Sequence, residues 1–154
     1  MKRLLVTAVT AASLSMPVIA HGDGHDGNPA QNARNAHMNL YGFNLGMLGA
    51  MAKGEVEYDA ELAAAHAGNV ARLAGINENG YWVEGTSSEE LEDSRALPII
   101  WEQMDEFMAI SASLEADAMA LQEAAAGGID AFRPAFGKMA GNCGTCHKTY
   151  RAPQ

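Results

Sequence analysis

Cysteine, basic residues and long apolar runs are all scarce in this sequence, and each shortage removes a class of protein. Only two of the 154 residues are cysteine, Cys143 and Cys146, and no second pair of cysteines or histidines stands at ligand spacing. A tetrahedral zinc site, which takes four protein donors, is therefore excluded. Lys and Arg number 10 against 19 Asp and Glu, a formal charge of −9. A chain of that sign does not bind nucleic acid or anionic membranes. Beyond residue 20 no apolar run approaches the length of a bilayer span. No sustained strand signal and no fixed internal period occur either, so sheet and repeat architectures drop out.

What is present begins with an export leader. Lys2 and Arg3 form a positive start, Leu4 to Ile19 an apolar run, and Val18-Ile19-Ala20 a small-residue cleavage pattern. Residues 1–20 are thus expected to be a signal peptide, cut after about Ala20, that delivers a soluble protein to the periplasm. Thr7, Thr10, Ser13, Ser15 and Pro17 argue against a retained membrane anchor. With Lys2 and Arg3 gone, eight of the ten bases remain against all 19 acids. That balance serves solubility and is compatible with a basic redox partner. Residues 21–28, HGDGHDGN, read as a disordered tail, and His21 and His25 lack the further donors a metal site needs.

Residues 29–154 carry four helical patterns. The first is expected from Pro29 to Lys53, with Gly54 as its stop and Met38, Tyr41, Leu45, Leu48 and Ala52 as one buried stripe. Gly42, Gly46 and Gly49 lower its helix propensity and leave room for a neighbouring helix or a flat ligand. The second fits Asp59 to Ala74, with Asp59 as cap and Gly75 beyond the end. Residues 75–97 form a long connection without sustained period. A third helix opens at Pro98 and runs towards Ala126, ended by Gly127-Gly128. In the last, Ile129, Phe132, Phe136, Met139, Cys143, Cys146 and Tyr150 step by threes and fours. Because Pro134 belongs in a first turn, the start of this helix is expected between Asp130 and Pro134. The sum is an all-α, antiparallel four-helix bundle. The methionines at 47, 51, 104, 108 and 139 read as flexible core filling.

The chemistry lies in Cys143-Gly144-Thr145-Cys146-His147. Cys-x-x-Cys-His is the attachment pattern of c-type haem: two thiols add to two vinyl groups, and the adjacent imidazole becomes the proximal iron ligand. One helical turn separates the thiols, so both reach one edge of a macrocycle. A thioredoxin-like pair would need a βαβ setting, which is missing. A disulfide remains as the alternative, but it leaves His147 without a reason and strains a helix by closing so short a loop.

At this point the chain resembles the class II cytochromes c represented by cytochrome c prime. The resemblance rests on Cys143 to Arg151, on Arg34-Asn-Ala-His-Met38 and Gly49-Ala-Met-Ala-Lys-Gly54, on Gly85-Thr86-Ser87-Ser88, and on Ile100-Trp101. It implies one covalent haem c held through Cys143 and Cys146, with His147 as proximal ligand. It further implies that Arg34 and Asn35 lie at the haem, with Arg34 near a propionate, that Arg151 stands by the proximal imidazole, and that Thr86 and Trp101 line the haem edge. The same resemblance puts Met38 on the distal side.

Met38 decides between two behaviours. A bound thioether gives a six-coordinate, low-spin electron carrier; a thioether that only packs leaves a five-coordinate haem open to NO or CO. The loop and the Ile100-Trp101 segment resemble the open branch, which is the expectation adopted here. His37 points about 100° from Met38 on an ideal helix and is expected at an interface or in solvent, as is His66 in solvent. The reading is a periplasmic monohaem electron carrier that also binds gas, with a dedicated NO-binding protein as the alternative. Redox proteins are its expected partners, and the resemblance adds a homodimer through the first two helices. No acid–base group accompanies Met38 in the stripe, which speaks against an enzyme such as a peroxidase.

Overall fold

The computed structural model describes residues 27–153. The leader, the tail through Asp26 with His21 and His25, and Gln154 lie outside the described residues. Helix α1 covers Pro29–Lys53, α2 Ala60–Ala74, α3 Ile99–Glu102, α4 Met104–Ala125 and α5 Ile129–Tyr150. The short α3 and the long α4 together fill the place of the expected third helix, so the bundle has four members, one of them broken.

Local chemistry sets most of the helix ends. Asn28 caps α1, its Oδ1 accepting from the amides of Ala30 at 3.0 Å and Gln31 at 3.2 Å, with Pro29 in the first turn. Gly54 closes α1 at φ 76°, ψ 20°, a left-handed conformation that glycine adopts without a Cβ penalty. The Asp59 carboxylate accepts from the Leu62 amide at 2.9 Å and caps α2. The expected continuous third helix is corrected at Gln103, where φ −124° and ψ 45° interrupt it. No residue there disfavours a helix; tertiary bonds hold the break. Trp101 Nε1 donates to the Trp82 carbonyl at 3.1 Å, and Tyr150 Oη donates to Gln103 Oε1 at 3.4 Å. Helix α5 begins at Ile129, ahead of the expected window, so Pro134 sits inside it and gives no amide bond to the Asp130 carbonyl.

The packed interior has two parts. Leu48, Met51, Val70, Leu121, Phe132 and Met139 form the larger cluster among α1, α2, α4 and α5. Ile100, Phe107 and Tyr150 form the smaller one, joined by Trp82 and Trp101. Met47 and Met108 are exposed, against the expectation of core filling, while Met104 packs half-buried on the smaller cluster. Helix α1 turns two faces inward rather than the single stripe expected. Arg34, His37, Tyr41, Asn44, Leu48 and Met51 are buried, whereas Met38 is 41% exposed. The expected stripe was apolar, and the buried one includes polar side chains that find partners across the helix interface.

Helices α1 and α5 touch at one end of the bundle. A Cβ on Gly49 would stand 3.6 Å from Phe136 Cζ, and Arg133 Nε donates to the Ala52 carbonyl at 2.9 Å. Towards the other end, which holds Met38 and the cysteine pair, a cavity lies between them. The 75–97 connection closes that end: the Leu97 amide donates to the Tyr150 carbonyl at 3.0 Å, and the Ala152 amide to the Arg95 carbonyl at 2.9 Å.

Two glycine substitutions should shift stability in opposite directions. Gly128 holds φ 92°, ψ 173°, a region open almost only to glycine, so Gly128→Ala should cost about 1–3 kcal/mol. Gly137 is exposed within α5 with open space around it, so Gly137→Ala should stabilise by roughly 0.5–1 kcal/mol. Urea unfolding of the two variants beside the parent measures both signs.

Candidate haem site

The α5 stripe places its chemistry as expected. Cys143 packs against the larger cluster and Cys146 against the smaller, so the pair spans the seam between them. Neither forms a disulfide, and each is half-buried. Both, with His147, line a cavity of about 470 Å³, within the size range of cofactor pockets. Burial pushes the Cys143 thiol up. Cys146 is pushed up to about 11, mainly by burial, with Cys143 and Glu78 adding and Arg151 opposing. Burial, then Arg151 and Arg95, lower the His147 pKa, which favours the neutral imidazole that a metal requires.

Across the cavity, α1 contributes Arg34, Asn35, Met38, Gly42 and Leu45, a helical face read at three- and four-residue steps. Arg34 is buried, which rules out a solvated surface charge. Its Nη1 donates to the Tyr81 carbonyl at 2.6 Å and to Thr86 Oγ1 at 2.8 Å, and its Nη2 to the Thr86 carbonyl at 2.9 Å. The guanidinium also lies 5.2 Å from the centre of the Trp82 ring, in cation–π range. Nε and one Nη2 hydrogen remain for a further acceptor.

Thr86 and Trp101 do not line the cavity. Thr86 is buried behind Arg34 and accepts its bond, while Trp101 holds the Trp82 carbonyl. Of the two tryptophans it is Trp82 that stands at the wall, packed edge-on against Phe107 with centroids 4.6 Å apart. The sequence reading missed Trp82, Tyr41 and Glu78. The exchange of Trp82 for Trp101 had no local signal, because the 75–97 segment lacks a period that would say which way a side chain points.

Of the two settings expected for His37, an interface or solvent, the structure excludes solvent. His37 is 3% exposed, stacked on Tyr41 with centroids 4.8 Å apart. Its Nε2 donates to the Leu73 carbonyl at 3.0 Å, tying α1 to the end of α2. The ring therefore faces away from Met38 because a buried carbonyl needs its proton. Nδ1 lies 3.5 Å from Glu78 Oε1 and is the one buried side-chain polar atom without a hydrogen bond among the described residues. Glu78 Oε2 accepts from Trp82 Nε1 at 2.7 Å. One carboxylate thus links α1 to the cavity-wall indole. His66 is half-buried, its Nδ1 2.9 Å from Asn44 Oδ1, rather than solvated.

The family described as Cytochrome C' matches residues 30–151. The chain belongs to the cytochrome c prime family. Cytochrome c-554 of Cereibacter sphaeroides is 35% identical over 151 residues, covering 98% of each chain. Cytochrome c' of the same organism is 32% identical with the same coverage. The solved cytochrome c' from Rhodobacter spheriodes superposes with a TM-score of 0.79 at 33% identity, covering 81% of this chain and 96% of that one. The family's proteins are haem electron carriers and gas binders, not enzymes, and carry covalent haem c.

The residues present fit that group. Two unpaired thiols one turn apart, an imidazole beside them and a largely apolar cavity meet the needs of a covalently held macrocycle. Among the described residues no cluster of three or more His, Cys, Asp or Glu offers a competing metal site. When bound, haem supplies reversible one-electron chemistry and, where an axial position is open, diatomic binding. The protein's own contribution is a largely apolar wall, an imidazole on α5 and the buried Arg34 guanidinium.

Glu78→Leu should destabilise by about 1–3 kcal/mol, since the Trp82 indole loses its acceptor. Glu78→Gln should hold or raise stability, because the amide group can donate to the unpartnered His37 Nδ1 while its oxygen still accepts from Trp82 Nε1. Denaturant midpoints of the two variants decide it.

Proposed function

We propose that this protein is a periplasmic monohaem cytochrome that carries single electrons on a five-coordinate haem, attached through Cys143 and Cys146 with His147 as proximal ligand, and that its distal face binds NO or CO. Arg34 and Asn35 stand at the propionate side, and Arg151 beside the proximal imidazole. Thr86 and Trp101 act from behind, through Arg34 and Trp82. The export leader supports the periplasmic setting, and no described helix is long and apolar enough to cross a membrane.

The observation that carries the open distal face is the state of Met38. It lines the cavity and belongs to neither packed cluster. An iron ligand is ordinarily locked by its surroundings. One turn further on, Gly42 lines the same wall, and a Cβ there would meet nothing within 4 Å. A structural neighbour is a nitric oxide complex of a cytochrome c prime variant from Alcaligenes xylosoxidans, 26% identical with a TM-score of 0.70. The alternative, Met38 as the sixth ligand, draws on the same thioether at the same wall.

The α1–α2 surface supports self-association. Leu40, Phe43 and Met47 on α1 and Leu62 on α2 are exposed, Phe43 by 71%. A neighbour of 29% identity is titled as a cytochrome c' with ligand-controlled dimer dissociation.

Two measurements test these readings. The visible spectrum of the ferrous holoprotein should be high-spin and shift strongly with CO, and Met38→Ala should leave the spin state unchanged. A low-spin spectrum that CO leaves unmoved, converted to high-spin by Met38→Ala, would establish the sixth ligand instead. In sedimentation, the parent should run as a dimer and Phe43→Glu as a monomer of unchanged spectrum. A monomeric parent would remove the dimer.

A further inference from the structure

The acidity of the chain hides a local exception. Arg95, Lys148 and Arg151, with His147, Ala152 and Pro153, line a hollow at the end of α5, more open than the haem cavity. No carboxylate among the described residues lies within ion-pair distance of the three bases, although Lys53 and Lys138 are paired with Glu55 and Asp117. Glu92 and Asp93, close to Arg95 in sequence, form no ion pair with it.

The bases are fixed in place by the fold. Arg95 donates from Nε at 3.2 Å and Nη2 at 2.6 Å to the Ala152 carbonyl. Ala96 and Arg151 form an antiparallel bridge, so the chain end is pinned beside the loop. The negative end of the α5 dipole favours bases here, which accounts for Lys148 and Arg151 but not for Arg95, brought from the loop. Arg95, His147 and Arg151 line both the hollow and the haem cavity. They are the partition between the two, so a molecule seated in the hollow lies one side chain from the cavity.

We infer that this hollow is the docking surface for a carboxylate-rich face of a one-electron redox protein, which gives or takes one electron through the His147 partition. The inference rests on the electron-carrier reading. It reverses what overall charge implies: the net-negative chain would attract a basic partner, while the only cluster of unpaired bases among the described residues, beside the cofactor, selects an acidic one. In the transfer the donor centre loses one electron and the acceptor gains it, with no bond formed and no proton required.

The test uses the haem-loaded protein with an acidic [2Fe–2S] ferredoxin as probe, in three forms: parent, Lys148→Glu and Arg72→Glu. The two variants change net charge equally, but Arg72 lies on α2, outside the hollow. Affinity by titration calorimetry and the one-electron exchange rate are both measured. Lys148→Glu should weaken each by about tenfold at low ionic strength, an effect that fades as salt rises, and Arg72→Glu should change them far less. Equal losses in the two variants would overturn the docking surface and leave only net charge. A loss of hexacyanoferrate binding in Lys148→Glu, with ferredoxin affinity unchanged, would make the hollow a small-anion site and overturn the inference as well. If Lys148→Glu weakens ferredoxin binding but no electron passes in any form, the surface stands and the electron-carrier reading fails.

Discussion

The molecule depends on one constraint: α1 and α5 must touch at one end and part at the other. At the close end Gly49 lies beside Phe136, and Arg133 bonds the Ala52 carbonyl. Separation is kept by the loop that closes the opposite end, where Arg34 is bound to Tyr81 and Thr86 rather than to α5. Between these two fixed ends the cavity is a product of helix geometry. The cysteine pair and His147 then need only lie on the inward stripe of α5 to reach it.

The second determinant is how polar groups are satisfied inside an acidic bundle. Buried Arg34 uses loop oxygens and an indole face, and His37 uses the Leu73 carbonyl. Each bond ties an α1 side chain to a different part of the chain, so α1 is oriented about its axis by hydrogen bonds as much as by apolar packing. That orientation turns Met38 and Gly42 towards the cavity while His37 faces away. The distal chemistry is therefore an outcome of polar contacts on the other side of the same helix.

Much of this was legible in the residues themselves. Pro29, Gly54, Asp59 and Gly75 marked the ends of α1 and α2, because capping is local chemistry. The α5 stripe was legible because its period is unbroken from Ile129 to Tyr150. The break at Gln103 was not, since it is held by Trp101 and Tyr150 from distant segments. Burial of His37 was equally hidden: its partner carbonyl belongs to Leu73, and a histidine beside a cavity-facing methionine carries no mark of that bond. Of the residues the resemblance pointed to, Arg34 and Met38 line the cavity, while Thr86 and Trp101 stand one layer back, with Trp82 at the wall.

The central claim is that the fold brings Met38 to the distal wall without binding it to iron. X-ray absorption at the iron edge of the reduced holoprotein tests this most directly, because sulfur and nitrogen scatterers at the metal are distinguished. The account predicts five nitrogen donors, one of them from His147, and no sulfur. A sulfur scatterer at bonding distance would contradict it and make Met38 the sixth ligand.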